Sequence, residues 1–259
     1  MKIESITVIG GRNKLGVKEA VERVEFKMGN IVSIVGPTGC GKTTFINDIE
    51  LYANCNTPSR RKVLINGEPQ PEELVIDPSR NPVALISQHT NFLSDLLVKD
   101  FLKIHASVRQ STNNKKVVEE TVEFANQLTG EPLNLDSAMT ELSGGQTRSL
   151  LIADAVIIGN APIILLDEIE NAGIHRTKAL DLLKKYNKIF IFVTHDPRIA
   201  LFSDYRIVMK NGGMSKVFYR NEREDILAEK IKELDDYFVD VRNRLRDGLE
   251  LDCLVDGVI

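Results

Sequence analysis

Ile31-Val32-Ser33-Ile34-Val35-Gly36-Pro37-Thr38-Gly39-Cys40-Gly41-Lys42-Thr43-Thr44 is the stretch on which the fold turns. Its first five residues are an apolar run of strand type, the next eight fit G-x-x-x-x-G-K-[ST], and a helix is expected to begin near Lys42. Strand, glycine-rich loop and helix in that order place the loop at the carboxyl end of a strand, where α/β sheets collect their ligands. The glycines let successive backbone amides of Gly36 to Thr44 turn inward, and the helix N-terminus adds its partial positive charge. Lys42 is then suited to neutralise phosphate oxygens, and the Thr43 hydroxyl to ligate Mg²⁺. Cys40 reads as a small loop residue.

Working outward, β-type segments and turn signals alternate on either side: Ser5 to Ile9, Val21 to Phe26, and Val63 to Ile65 ending in Asn66-Gly67. Asn66 to Pro82 holds four prolines and reads as an irregular connection before a buried strand at Val83 to Ser87. From Asp95 to Leu128 the pattern turns helical. Phe101, Leu102, His105 and Val108 share one face, and a second segment follows a polar break at Ser111 to Asn114. Ile163 to Leu166 and Ile189 to Val193 are all-apolar, separated by a helix over Arg176 to Tyr186, which reads as a parallel βαβ unit. Ile226, Ile231, Leu234, Phe238, Val241 and Leu245 recur at helical intervals in a charge-dense stretch, predicting a long amphipathic helix from about Glu222 to Leu245. A packing role or a solvated lid is the expected use of that helix.

Composition narrows the classes. With 259 residues, 42% hydrophobic, the chain can bury a sizeable core, which excludes a disordered or fibrous protein. A formal net charge of -4 with mixed signs offers no nucleic-acid-binding arm, so no nucleic-acid partner is expected. Met1-Lys2-Ile3-Glu4-Ser5 carries charge where a signal peptide needs an apolar stretch, and no apolar run approaches bilayer length. Three cysteines, Cys40, Cys55 and Cys253, lack metal-ligand spacing and fit a reducing compartment. The expected location is cytoplasmic, or peripheral at the inner face of the membrane through a partner that supplies the spans.

Two further groups belong with the glycine loop. The run from Ile163 ends in Asp167-Glu168, two carboxylates that can divide the work: Asp167 holding Mg²⁺ and Glu168 polarising an attacking water. The next apolar run ends in Thr194-His195-Asp196, an imidazole able to hydrogen-bond a terminal phosphate.

Between these elements lies Leu142-Ser143-Gly144-Gly145-Gln146, just before a helical segment, and with it the chain resembles the ABC (ATP-binding cassette) ATPase family. The resemblance runs in order through the loop at Gly36 to Thr43, Gln88, the signature at Leu142, Ile163 to Asp167, Glu168 and His195. It implies an α/β fold: a P-loop NTPase core with an antiparallel β lobe and a small helical insertion. The implied division is a single domain, with a core and β lobe over 1–88 and 159–220, a helical subdomain over 89–158 and a C-terminal helix over 221–259. The implied activity is Mg-ATP binding and hydrolysis. Glu168, His195 and Gln88 are then the catalytic residues, and Thr43, Gln88 and Asp167 the Mg²⁺ residues. Ser143, Gly144, Gly145 and Gln146 complete the nucleotide site of a second subunit, as a homodimer or ABC heterodimer.

The sequence departs from the common transporter form in three places. Gly10 to Gly16 lacks the aromatic residue that stacks on adenine, leaving base contact to Arg12 or Lys14, or leaving it weak. After Glu168, Ile169-Glu170-Asn171-Ala172-Gly173-Ile174 lacks the aspartate that communicates across the dimer. Asp154 stands where transporters commonly carry arginine. Three functions are therefore weighed: the ATPase subunit of a membrane transporter with an integral permease partner, a soluble ATPase driving protein or metallocluster assembly, and a low-turnover nucleotide-dependent regulatory module.

Overall fold

The computed structural model describes residues 2–71, 81–87, 90–92, 94–109, 114–129, 131–168 and 176–250. Strand β1 (Ser5–Ile9) pairs antiparallel with β2 (Arg23–Lys27) and with β4 (Lys62–Ile65). A short β5 (Glu68–Pro69) follows the Asn66-Gly67 turn and completes a four-stranded sheet in the order β2-β1-β4-β5.

The second sheet carries the loop. β3 (Ile31–Val35), β6 (Val83–Ile86), β7 (Ile163–Asp167) and β8 (Ile189–Val193) run parallel, with β9 (Tyr205–Lys210) parallel to β3 and β10 (Gly213–Tyr219) antiparallel at the edge. Their order is β10-β9-β3-β8-β7-β6. Every residue of β7 and β8 is buried, as parallel strands covered on both faces require. Alternation then splits each strand between two cores. Ile163, Leu165, Ile189 and Ile191 face the β lobe, together with Phe45 and Ile49 of α1 (Lys42–Glu50). Ile164, Leu166, Phe190 and Phe192 face the helices.

Those helices are α2 (Val98–Val108), α3 (Asn114–Leu128) and α4 (Gly144–Val156), followed by α5 (Arg176–Leu183), α6 (Pro197–Phe202) and α7 (Glu222–Arg246). Leu102, Phe124, Leu128 and Leu150 fill the core they share. The expected common face of α2 holds for Leu102, Phe101 and His105 but not for Val108, the last residue of the helix, which is 64% exposed. No described helix is long and apolar enough to cross a membrane.

Candidate functional site

Gly36 leaves β3 at φ 152°, and a Cβ there would sit 2.5 Å from the Met209 carbonyl oxygen and 2.7 Å from Cys40 Sγ. Gly41, at φ 96°, starts α1, and a Cβ on it would stand 2.9 Å from Gly212 Cα. Only glycine meets both demands, the left-handed backbone and the close approach of the β9–β10 turn. With Gly41 as its N-cap, α1 has no side-chain cap and no acidic residue in its first turn. Its leading N–H groups are therefore left for an external acceptor. Pro37, Thr38 and Gly39 are exposed at the loop tip, as are Thr43 and Thr44 at the helix start, while Cys40 is buried beneath.

Lys42 is 6% exposed, and its Nζ donates to the carbonyls of Gly36 (2.9 Å) and Pro37 (3.2 Å). The same Nζ lies 3.1 Å from His195 Nε2. An ammonium only donates, so Nε2 is the acceptor and the ring proton belongs on Nδ1. Glu168 Oε1 lies 3.7 Å beyond that ring nitrogen. Three side chains 126 to 153 positions apart in pairs with Lys42 thus converge at the carboxyl ends of β3, β8 and β7. Glu168 holds φ 50°, a left-handed conformation that costs a non-glycine residue roughly 1–3 kcal/mol, and its N–H donates to Val193 O at 2.9 Å. Asp167, the last residue of β7 and 9% exposed, stands opposite Val193 of β8.

The signature stands at the start of α4. Ser143 caps α4: its hydroxyl accepts from Gln146 N–H at 3.3 Å, and Gln146 Oε1 accepts from Ser143 N–H at 3.0 Å. Gln146 Nε2 donates to Pro132 O, which fixes the side chain. Ser143 and Gly144 remain exposed, and Gly145 is half-buried. No contact described here joins this helix end to Lys42 of the same chain. Gln88 and the segment 169–174 lie outside the described residues; of the neighbours of Gln88, Thr90 donates its N–H to Ser87 O.

The loop expected to meet the base is a hairpin closed by an Arg12–Lys18 bridge. Both expected side chains have partners in the chain: Arg12 Nη1 donates to Gly16 O at 2.7 Å, and Lys14 Nζ to Gly39 O of the glycine loop at 2.7 Å. Leu15 and Val17, 74% and 58% exposed, present apolar surface on the same hairpin and were not singled out by the sequence.

Asp154 also has its partner. Its Oδ1 is 2.7 Å from His105 Nδ1, so the unusual carboxylate on α4 ties that helix to α2. A second ionic centre escaped the sequence altogether. Arg61 is fully buried between Asp48 (2.8 Å) and Glu19 (2.6 Å), lies 5.0 Å from the centre of the Phe45 ring, and donates to Gly212 O at 2.8 Å. Gly212 N–H in turn donates to Cys40 O at 2.9 Å, so Arg61 holds the β9–β10 turn beneath the glycine loop. Burial pushes the Glu19 carboxyl above its ordinary range, against the pull of Arg61. A carboxylate at Asp48, among Phe45, Ile46 and Ile49, was the available signal.

The sequence profile of the ABC transporter family matches residues 22–171. An uncharacterised ABC transporter ATP-binding protein of Methanocaldococcus jannaschii is 47% identical over 97% of this chain and 96% of its own length. The chain belongs to the ABC transporter ATP-binding family. It is an ATPase cassette of the P-loop NTPase fold. The spermidine/putrescine import ATP-binding protein of Bacteroides fragilis is 31% identical over 83% of this chain, which spans only 47% of that protein. Among solved structures, a dimeric ATP-binding cassette in a post-hydrolysis state bound to ADP and Pi superposes with TM-score 0.62 at 24% identity, covering 83% of this chain and 99% of that one. A cassette of Clostridium perfringens from a cbiONQ transporter complex gives TM-score 0.62 at 20% identity, covering 95% and 100%.

Proposed function

We propose that this cassette binds Mg-ATP in the loop Gly36 to Thr44 and hydrolyses it as a two-fold nucleotide-sandwich dimer, homomeric or with another ABC chain, to drive an integral membrane permease. The convergence of Lys42, His195 and Glu168 on one sheet edge supports this reading most directly. Uncapped amides of α1 and the Lys42 ammonium bind phosphate oxygens. Hard oxygen donors, the exposed Thr43 hydroxyl and the Asp167 carboxylate, suit Mg²⁺, which takes few protein ligands and keeps water and phosphate oxygens for the rest. Gln88 is assigned to the same ion. When bound, Mg²⁺ supplies charge neutralisation to the phosphates. Glu168 accepts a proton from the attacking water, and His195 orients the terminal phosphate.

Ser143 and Gly144, both exposed, and the half-buried Gly145 at the start of α4 belong, in this reading, over the phosphates of the second subunit. The assembly-factor reading loses one of its two motives, since Asp154 is used within the chain by His105. Size-exclusion chromatography of Glu168→Gln with Mg-ATP tests the proposal. Removing the base without removing phosphate binding should leave ATP retained and a stable dimer; a variant that stays monomeric in saturating Mg-ATP would sink the sandwich. Recovery with a permease from membranes, when expressed alongside genomic neighbours, tests the coupling.

A further inference from the structure

Leu227, Ile231, Leu234, Phe238, Val241 and Leu245 follow one another on α7 at intervals of four, three, four, three and four. That strict 3.5-residue repeat is the seam of a two-stranded coiled coil rather than the broader stripe of a helix lying on a globular core. The adjoining flank of α7 is already docked. Arg198 of α6 pairs with Asp235 and, at 3.8 Å, with Asp236, while Glu224, one step before Leu227 on the same repeat, pairs with Arg206 of β9. Four of the six seam residues stay open, Leu227, Leu234, Phe238 and Leu245 being 47%, 37%, 57% and 58% exposed, while Ile231 and Val241 are half-buried.

We infer that the seam is covered by α7 of a second copy, parallel and in register, forming a dimer contact that needs no nucleotide. The charges beside the seam select this occupant. Arg223, Lys230, Tyr237 and Arg244 line one border, and Ala228, Asp235 and Arg242 the other. Parallel in-register pairing sets Tyr237 against Arg242 of the partner subunit and brings Lys230 to the outer side of the partner's Asp235, whose carboxylate Arg198 already engages, each twice, with no like charges opposed. The antiparallel register that keeps all six apolar residues in contact instead opposes Lys230 to Arg244 and Asp235 to its own twin. α7 packs on α6, which starts two residues after His195, so the seam is joined to the helix that follows that histidine. Two cassettes held there stay together when nucleotide has left, and each reclosure becomes intramolecular. The contact is separate from the nucleotide sandwich, and the two can fail independently.

Sedimentation of the whole chain without nucleotide reads the contact directly. The wild type should show a concentration-dependent dimer, and Leu234→Glu with Phe238→Glu should weaken it more than about a hundredfold, since four apolar side chains lose their burial. Both sites face solvent, so circular dichroism should be unchanged. In a Cys55→Ser, Cys253→Ser background, Leu234→Cys should oxidise to a disulfide dimer, because parallel pairing brings that position against its twin. A wild type that is monomeric without nucleotide at every concentration overturns the inference, even if Glu168→Gln still dimerises with ATP. A dimer untouched by the double substitution overturns it too, as does a dimer seen only after residues 251–259 are removed, or one in which the Leu234→Cys disulfide never forms.

Discussion

Replacing Arg61 by leucine should destabilise the cassette by about 3–5 kcal/mol, the usual cost of leaving buried charge uncompensated. Arg61 has no exposure, and its loss strips Asp48 and Glu19 of their cation, Gly212 O of a donor and Phe45 of its cation–π contact. At roughly 2–4 °C per kcal/mol for a chain of this size, Tm should fall by about 6–20 °C. The loss should depend on pH with a definite sign. Glu19 already has a folded pKa raised above 4.5 by burial, and removing Arg61 raises it further. A carboxyl raised in the folded state exacts its penalty as pH climbs through the folded pKa, and none below the unfolded value. Urea unfolding of Arg61→Leu against wild type should therefore show a larger deficit at pH 8 than near the unfolded value of 4.5. Adding Glu19→Gln and Asp48→Asn to Arg61→Leu should recover more than half of the deficit at pH 8. A Tm within about 2 °C of wild type, or a deficit equal at both pH values, would refute the assignment of Arg61 as the neutralising centre beneath the loop.

The remaining expectations concern the site and one buried lysine. Lys42→Ala should weaken ATP binding by one to two orders of magnitude, the loss of a charge-assisted contact worth about 1.5–3 kcal/mol, and fluorescent-nucleotide titration checks it. Glu168→Gln should lower kcat by a factor of about 10²–10⁴ while leaving ATP affinity near wild type; turnover that survives unchanged would favour the regulatory-module reading. His195→Ala should cut turnover with binding mostly kept, and wild-type activity would remove it from the mechanism. Burial lowers the Lys188 ammonium to about 8, so the unfolded chain holds that proton more tightly and stability should rise with pH above 8. The rise should reverse above about 10, where Tyr52 and Tyr205 keep in the folded state the protons that burial pushes them to retain; denaturant midpoints across that range that fall throughout would contradict the lysine assignment.

What was legible in the sequence was what is set locally. The apolar runs at Ile163 and Ile189 could only be strands covered on both faces, and they are adjacent and parallel. The glycines at 36 and 41 announced a backbone that no side chain tolerates, and both sit at positive φ against Met209 and Gly212. Signature residues Ser143 and Gln146 form a capping box, which a three-residue spacing already encodes. What stayed hidden depends on register across the sheet. Arg61 looks like a surface residue until β4 is laid beside β1 and the β9–β10 turn reaches Gly212, 151 positions away. Asp154 read as a departure in isolation; its partner His105 is 49 positions distant on another helix. Arg12 and Lys14 were weighed for the base because their charges were visible, whereas their carbonyl partners were not.

The arrangement of Lys42, His195 and Glu168 keeps two opposed needs apart. A phosphate site requires net positive charge, and a general base requires a carboxylate that is not neutralised by that charge. Lys42 is satisfied by two carbonyls and an imidazole nitrogen, all neutral acceptors, so its charge is retained for an anion although it is buried. Glu168 Oε1 stands 3.7 Å from the same imidazole nitrogen that Lys42 reaches, and among the described residues no Lys42–Glu168 ion pair forms. Direct Lys42–Glu168 pairing would cancel the loop's charge and lower the basicity of the acid in one contact. The left-handed backbone at Glu168 turns the chain at the end of β7, immediately after Asp167, so two successive carboxylates can face different tasks. In the proposed reading, its conformational strain is the cost of separating the acid assigned to the metal from the acid assigned as base. Substituting glycine for Glu168 should relieve that strain and raise stability even as turnover falls, whereas glutamine should lower turnover with stability unchanged; if glycine and glutamine proved equally stable, the backbone at 168 would carry no strain.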